Sequence, residues 1–228
     1  MKNRLIVALD LPSVAEAEAL TARCGDAVSF YKIGLQLLPV GGMDLSEKLR
    51  AAGKKVFLDF KLHDIPATVE KATRSIAGRG GDLLTVHAEP PVMRAAVAGR
   101  GDDRDLKLLG VTVLTAYDDE MLTEIGYAHS ARDLVMRRVE QALGCGMDGV
   151  VASPLEAAEI RQRFGDGFLI VTPGIRPTGS DAGDQKRVAT PADALKSGAT
   201  HLVVGRPVNA ADDPAQAARA ILAEMESA

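Results

Sequence analysis

Val56-Phe57-Leu58-Asp59-Phe60-Lys61-Leu62-His63-Asp64-Ile65-Pro66 begins as an apolar strand and ends as a charged cluster. Val56, Leu58 and Phe60 alternate with Phe57, Asp59 and Lys61. Side chains two apart share one face of a strand, so Asp59 and Lys61 project together. Asp64 follows just before Pro66, where the next element starts. A charge removed from water costs several kcal/mol unless it is paired, so charges of alternating sign at a strand end mark a built cluster. Two readings stand open at this point. One is a structural ion-pair network. The other is a lysine kept protonated by flanking carboxylates and aimed at a ligand, because nearby negative charge raises a lysine pKa while burial lowers it.

Outward from this stretch the chain repeats one unit. Leu5–Leu9, Val28–Ile33, Leu83–His87, Leu106–Leu114, Gly149–Ala152, Phe168–Thr172 and His201–Val204 read as further strands. Their continuous apolar runs fit strands buried on both faces of a parallel sheet. Helical segments lie between them. Ser13-x-x-Glu16 and Ser153-x-x-Glu156 are capping boxes, and Pro66 opens a helix where proline is tolerated. Asp44–Ala52, Pro66–Gly78, Pro91–Val97, Asp118–Ile125, Arg132–Leu143 and Asp213–Met225 are the other predicted helices, with one more starting at Thr190. Gly53, Gly80-Gly81, Gly146 and Gly198 sit just ahead of strands, as helix C-caps do. Eight strand–helix units of roughly 25–30 residues predict an α/β fold, a single-domain (β/α)8 TIM barrel over residues 1–228. A doubly wound open sheet is the alternative, but the first strand–helix turn lacks G-x-G-x-x-G.

Polar residues then fall in a pattern. Asp10, Lys32, Asp59, Lys61, His87, Thr115, Thr172 and Arg206 lie at or just past predicted strand ends, and in a barrel those ends converge on the face that carries active sites. Gly205-Arg206 follows the last strand, with the glycine-containing segment 173–188 upstream. Loops after the last two strands commonly hold phosphate in such barrels, a glycine lets backbone N–H groups approach an anion, and arginine offers a fork of donors. His87 reads as a hydrogen-bonded supporting residue, since no second ligand has metal-site spacing to it. Tyr31 and Ile33, flanking Lys32, face the helices.

Bulk properties exclude several classes. The 228 residues carry 46% hydrophobic side chains and a formal net charge of −4, enough for a large core and without the basic footprint of nucleic-acid or anionic-membrane binding. Cys24 and Cys145 belong to no CxxC or Cys/His cluster. They read as small core residues in a reducing, cytoplasmic setting. No signal-peptide h-region or membrane-length apolar run occurs.

The Asp-x-Lys-x-x-Asp-Ile-Pro run resembles the signature of the orotidine 5′-phosphate decarboxylase family. The resemblance continues in order through Val7-Ala8-Leu9-Asp10, Tyr31-Lys32-Ile33-Gly34, Thr172-Pro173-Gly174-Ile175-Arg176-Pro177 and Val204-Gly205-Arg206-Pro207. It implies a cofactor-free carboxy-lyase that converts orotidine 5′-phosphate to uridine 5′-phosphate and CO2. It implies Lys61 as proton donor to C6, oriented by Asp59, with Lys32 and Asp64 completing the charge network. By the same resemblance Arg206, Gly205 and Gln185 contact the phosphate, Arg176 falls on a ligand-contact position, Asp10 and Lys32 contact the ribose, and Thr115 the pyrimidine. Ile65 joins the ligand contacts, and Thr68 reaches the ribose from a neighbouring subunit, as Asp64 reaches the carboxylate. A homodimer with shared sites is therefore implied. Where near members read Leu-Thr-Ser, this chain has Leu114-Thr115-Ala116, so position 116 offers the base no side-chain hydroxyl. The rivals are a magnesium-dependent enzyme of the hexulose-phosphate synthase kind, which shares the charged run, and a non-catalytic nucleotide-binding module.

Overall fold

The computed structural model describes residues 1–178 and 188–228. In its first half the elements are β1 (Leu5–Ala8), α1 (Val14–Cys24), β2 (Phe30–Gly34), α2 (Gly42–Ala51), β3 (Lys55–Leu62), α3 (Pro66–Arg79), β4 (Leu83–His87) and α4 (Pro90–Arg100). The second half continues with β5 (Lys107–Val111), α5 (Asp119–Glu124), α6 (Ala131–Gly144), β6 (Gly149–Val151), α7 (Pro154–Phe164), β7 (Leu169–Thr172), α8 (Pro191–Lys196), β8 (His201–Val204), α9 (Arg206–Asn209) and α10 (Pro214–Glu226). The strands are parallel and close in sequence order into a barrel. Closure comes from β1 on β8, with Leu5 opposite Leu202 and Val7 opposite Val204.

The alternation in each strand sorts side chains into two cores. Ile6, Phe30, Phe57, Leu83, Leu109, Val171 and Val203 fill the barrel interior. Their neighbours, including Val7, Tyr31, Ile33, Leu58 and Phe60, pack outward against the helices. Each large side chain so buried contributes on the order of 1.5–3 kcal/mol. Helix starts follow the caps in the sequence. The hydroxyls of Ser13, Ser130, Ser153 and Thr190 each accept a backbone N–H from the first turn of their helices.

Some boundaries differ from expectation. α4 runs to Arg100 rather than Val97 because Gly99 lets it lie directly on α3. A Cβ at that position would fall on the Glu70 carbonyl oxygen. β5 leaves its ladder at Val111, so Thr112 to Leu114 already belong to the rim. α9 is an unpredicted short helix directly after β8. Cys24 is buried as expected, but Cys145 is half-buried, placed at the exposed C-cap of α6. Residues 174–176, at the start of the 173–188 segment, meet Ala189 just after it: Ile175 bridges Ala189, and the Arg176 N–H donates to the Ala189 carbonyl at 3.0 Å. Among the described residues no helix is long and apolar enough to cross a membrane.

His201 opens β8 with its ring edge-on to Phe30, centroids 6.1 Å apart. Burial first, then the nearby Arg4 and Lys55 charges, push its pKa down from 6.5 to about 4. The unfolded chain therefore binds a proton at higher pH than the folded one. Stability from the neutral ring is full above pH 6.5 and drains away as pH falls through about 4. Replacing His201 by Asn should flatten that acid slope, a difference of up to about 3 kcal/mol, measured by urea unfolding at pH 7 and at pH 4.5.

Candidate active site

A cleft of 690 Å³ opens at the C-terminal end of the barrel, lined by Asp10, Lys32, Asp59, Lys61, Thr115, Arg176, Gly205 and Arg206 among others. That volume is the size of small-ligand sites generally and suits a mononucleotide. Its floor is a row of four charges of alternating sign. Lys32 Nζ lies 2.8 Å from Asp10 Oδ1 and 3.5 Å from Asp59 Oδ2. Lys61 Nζ lies 2.8 Å from Asp59 Oδ1. Burial alone would push Lys32 toward neutrality, but Asp59 and then Asp10 outweigh it and hold its pKa above the ordinary lysine value. Burial likewise pushes Asp59 up, while Lys32, Lys61 and the hydrogen bonds from Lys61 and Thr85 outweigh it and keep the carboxylate below its usual range. Lys32 and Asp59, the two most buried members of the row, therefore hold each other in their charged forms.

Lys61 reaches this position through an unusual backbone. The register of β3 on β4 shifts between Leu58 and Leu62. Lys61 has φ of 49°, the one positive value among described non-glycine residues. A left-handed conformation costs an L-residue roughly 1–2 kcal/mol, and such strain persists where surrounding structure over-determines it. Thr85 of β4 supplies that determination. The Lys61 N–H donates to Thr85 Oγ1 at 3.0 Å, and Thr85 Oγ1 donates to Asp59 Oδ1 at 3.0 Å. Lys61 Nζ then closes the ring on the same Asp59 oxygen. The lysine is held at both its backbone and its tip by one carboxylate and one hydroxyl.

Of the strand-end residues expected to converge, His87 and Thr172 do not line the cleft. Val171 takes the inward position of β7, so Thr172 points outward and is buried. The expected hydrogen-bonded support at His87 is instead a ring contact with His63, centroids 4.8 Å apart, while its backbone carbonyl accepts the Glu89 N–H at 2.8 Å. His63 in turn meets Glu89 Oε2 at 3.2 Å. Burial, then the charges of His63 and Arg138, push the His87 pKa down. Asp64, Ile65 and Thr68 lie off the cleft on an exposed stretch that opens α3, with Ile65 66% exposed. Asp64 Oδ1 accepts the N–H of Ile65 at 2.6 Å, so among the described residues of one chain Lys61 has a single carboxylate partner, Asp59, rather than two. Gln185 lies outside the described residues.

Sequence reasoning missed Thr85, Gly34 and Asn209. Gly34 pairs with Asp59 across β2–β3, and a Cβ there would sit 2.9 Å from Lys32 Nζ and 3.0 Å from Asp10 Oδ1. A side chain there would push that pair out of its present position. Asn209 lines the cleft from α9 and donates to the Ala8 carbonyl at 3.4 Å. No group of three or more His, Cys, Asp or Glu suited to a metal ion occurs among the described residues.

A family model described as orotidine 5′-phosphate decarboxylase / HUMPS matches residues 3–221. The chain is 61% identical to an orotidine 5′-phosphate decarboxylase of Caulobacter vibrioides over 226 residues, 97% of each chain. It is 57% identical to one of Methylorubrum extorquens, covering 100% of this chain and 97% of that one. The crystal structure of orotidine 5′-phosphate decarboxylase from Lactobacillus acidophilus superposes with a TM-score of 0.86 at 37% identity, over 97% of this chain and 98% of that one.

Removing the Thr85 hydroxyl should open the ring. Thr85→Val leaves the Lys61 N–H without an acceptor, a loss of about 1–3 kcal/mol for one stranded buried polar group, and removes one of the donors to Asp59. Thr85→Ser should recover most of it, and urea unfolding of the two variants measures the difference.

Proposed function

We propose, from the premise that this chain belongs to the orotidine 5′-phosphate decarboxylase / HUMPS family, that it removes carbon dioxide from orotidine 5′-phosphate to give uridine 5′-phosphate. The observation that carries this reading is the Lys61 ammonium fixed 2.8 Å from Asp59 on the cleft floor. The C6–carboxyl bond breaks and leaves its electron pair on C6, in an orbital the ring π system cannot delocalise. Lys61 stabilises that developing charge and delivers a proton from Nζ to C6. Asp59 holds the Lys61 ammonium in place. Catalysis then rests on preorganised charge and positioning, and no electron-accepting cofactor takes part.

The rest of the cleft orders the substrate along the barrel mouth. Arg206, Gly205 and Arg176 take the phosphate, together with Gln185. Asp10 and Lys32 take the ribose hydroxyls, and Thr115 faces the pyrimidine. Phosphate binding far from the breaking bond can be used to exclude water and strengthen each interaction inside. Asp64, Ile65 and Thr68 fit a homodimer in which each chain supplies the exposed stretch before and into α3 to the cleft of the other. There Asp64 would lie beside the substrate carboxylate and complete the row of charges. The reading places this chemistry in the cytoplasm. The family also embraces enzymes of the hexulose-phosphate synthase kind. What favours decarboxylation is the Pro-Gly-Ile-Arg-Pro segment at 173–177, the named relatives, and an Asp59 whose oxygens are occupied by Lys61, Lys32 and Thr85 rather than open to magnesium.

The absorbance change on turnover of orotidine 5′-phosphate is the direct assay. Wild type should be active and indifferent to a chelator, and Lys61→Ala should lose at least about 10³-fold in kcat while still binding uridine 5′-phosphate. Activity that collapses with chelator, or survives in Lys61→Ala, would reject this reading. Site sharing has its own measurement. Mixed inactive Lys61→Ala and Asp64→Asn chains should recover up to about a quarter of wild-type activity on random reassortment into dimers, and no recovery despite proven exchange would reject it.

A further inference from the structure

Arg138 is a buried cation for which this chemistry has no stated use. It lies on α6, only 8% exposed, and no carboxylate among the described residues pairs with it. Buried arginines are rare without a partner, so its neighbours define its work. One guanidinium nitrogen donates to the backbone carbonyl of Thr112. Another donates to the Tyr127 hydroxyl at 2.8 Å, and the guanidinium lies 5.2 Å from the centroid of that ring. Thr112 and Tyr127 are the two ends of one segment. It leaves the barrel after β5, presents Val113, Leu114 and Thr115 to the cleft, turns at Tyr117 and carries α5.

The first anchor is also fixed to the barrel. The Thr112 N–H and hydroxyl both donate to the Val151 carbonyl of β6, so Arg138 takes the acceptor that remains on that residue. The second anchor is adjustable, a phenol at the end of a half-buried side chain. Tyr127 is otherwise held by its N–H to the Leu122 carbonyl at 2.8 Å. A planar guanidinium with several fixed donors can tie two such acceptors in one geometry, which a lysine cannot reproduce.

We propose that Arg138 is a positioning residue for the base end of the ligand: it clamps both ends of the 112–127 segment and so sets the wall that Val113, Leu114 and Thr115 offer to a pyrimidine ring. It acts through those residues and does not itself touch the cleft. The proposal rests on the nucleotide reading above for the identity of the ring. It separates the two ends of the ligand, because Arg138 bonds to Thr112 and Tyr127, whereas the phosphate and ribose contacts within the chain lie after β1, on β2 and after β7 and β8.

The test measures dissociation constants for uridine 5′-phosphate and for ribose 5-phosphate, which lacks the base, in wild type, Tyr127→Phe and Arg138→Lys, with a thermal melt of each. Tyr127→Phe should weaken uridine 5′-phosphate about fivefold, the worth of one hydrogen bond, and leave ribose 5-phosphate unchanged. Arg138→Lys should do the same more strongly, with KM for orotidine 5′-phosphate rising in parallel. If Arg138→Lys fails to fold, Tyr127→Phe decides alone. Equal weakening of both ligands, or of neither, in the folded Tyr127→Phe protein overturns the clamp. Wild-type turnover is followed alongside. An inactive wild type that nonetheless shows the base-selective loss would sink the decarboxylase reading and leave the clamp standing.

Discussion

The Asp59 carboxylate shared between two ammonium groups and one hydroxyl is the interaction on which the site depends. It draws Lys32 from β2, Lys61 from its own strand and Thr85 from β4 onto one pair of oxygens. Each of these groups would be costly in a largely dry floor by itself, and each is made tolerable by the others. Gly34 supplies the empty volume in which Asp10 and Lys32 meet. The barrel supplies the convergence, since parallel closure in sequence order brings the ends of β1 to β4 side by side. Because the signs alternate along the row, the floor is close to neutral before any ligand arrives, and its dipoles need little rearrangement when charge develops above it.

Much of this was legible in the sequence because it followed period and end position. Alternation over Val56–Lys61 separated core from cleft correctly, and Tyr31 and Ile33 fell on the helix side of Lys32 as their spacing required. Strand-end position misled at Thr172, where the inward place belongs to Val171. Thr85 was invisible for another reason. A lone threonine in an apolar strand has no pattern, and its role depends on a register shift in the neighbouring strand. The left-handed backbone of Lys61 was equally hidden, since no local rule places a lysine there. α9 has four residues, too few to show a helical period. The position of Asp64 off its own chain's cleft follows from the turn into α3.

The two ends of the cleft are built differently. At the charged floor, rigid β-strands carry the groups, and the tolerance for error is small. At the rim after β5, residues 112–127 are a connection with one short helix, and its placement relies on contacts to the layer of helices behind it. Arg138 is such a contact. A barrel of this kind can keep one chemistry on its strands while adjusting recognition through the supports of its loops.

The left-handed lysine has a consequence for how such a chain ages under mutation. A glycine at position 61 would relax the backbone, and with it the stored strain that the folded state now carries. Selection for stability alone would therefore erode this position, and only continued demand for its ammonium group can keep a side chain there. Among relatives released from that demand, this should be one of the first residues to drift, with the barrel around it left intact.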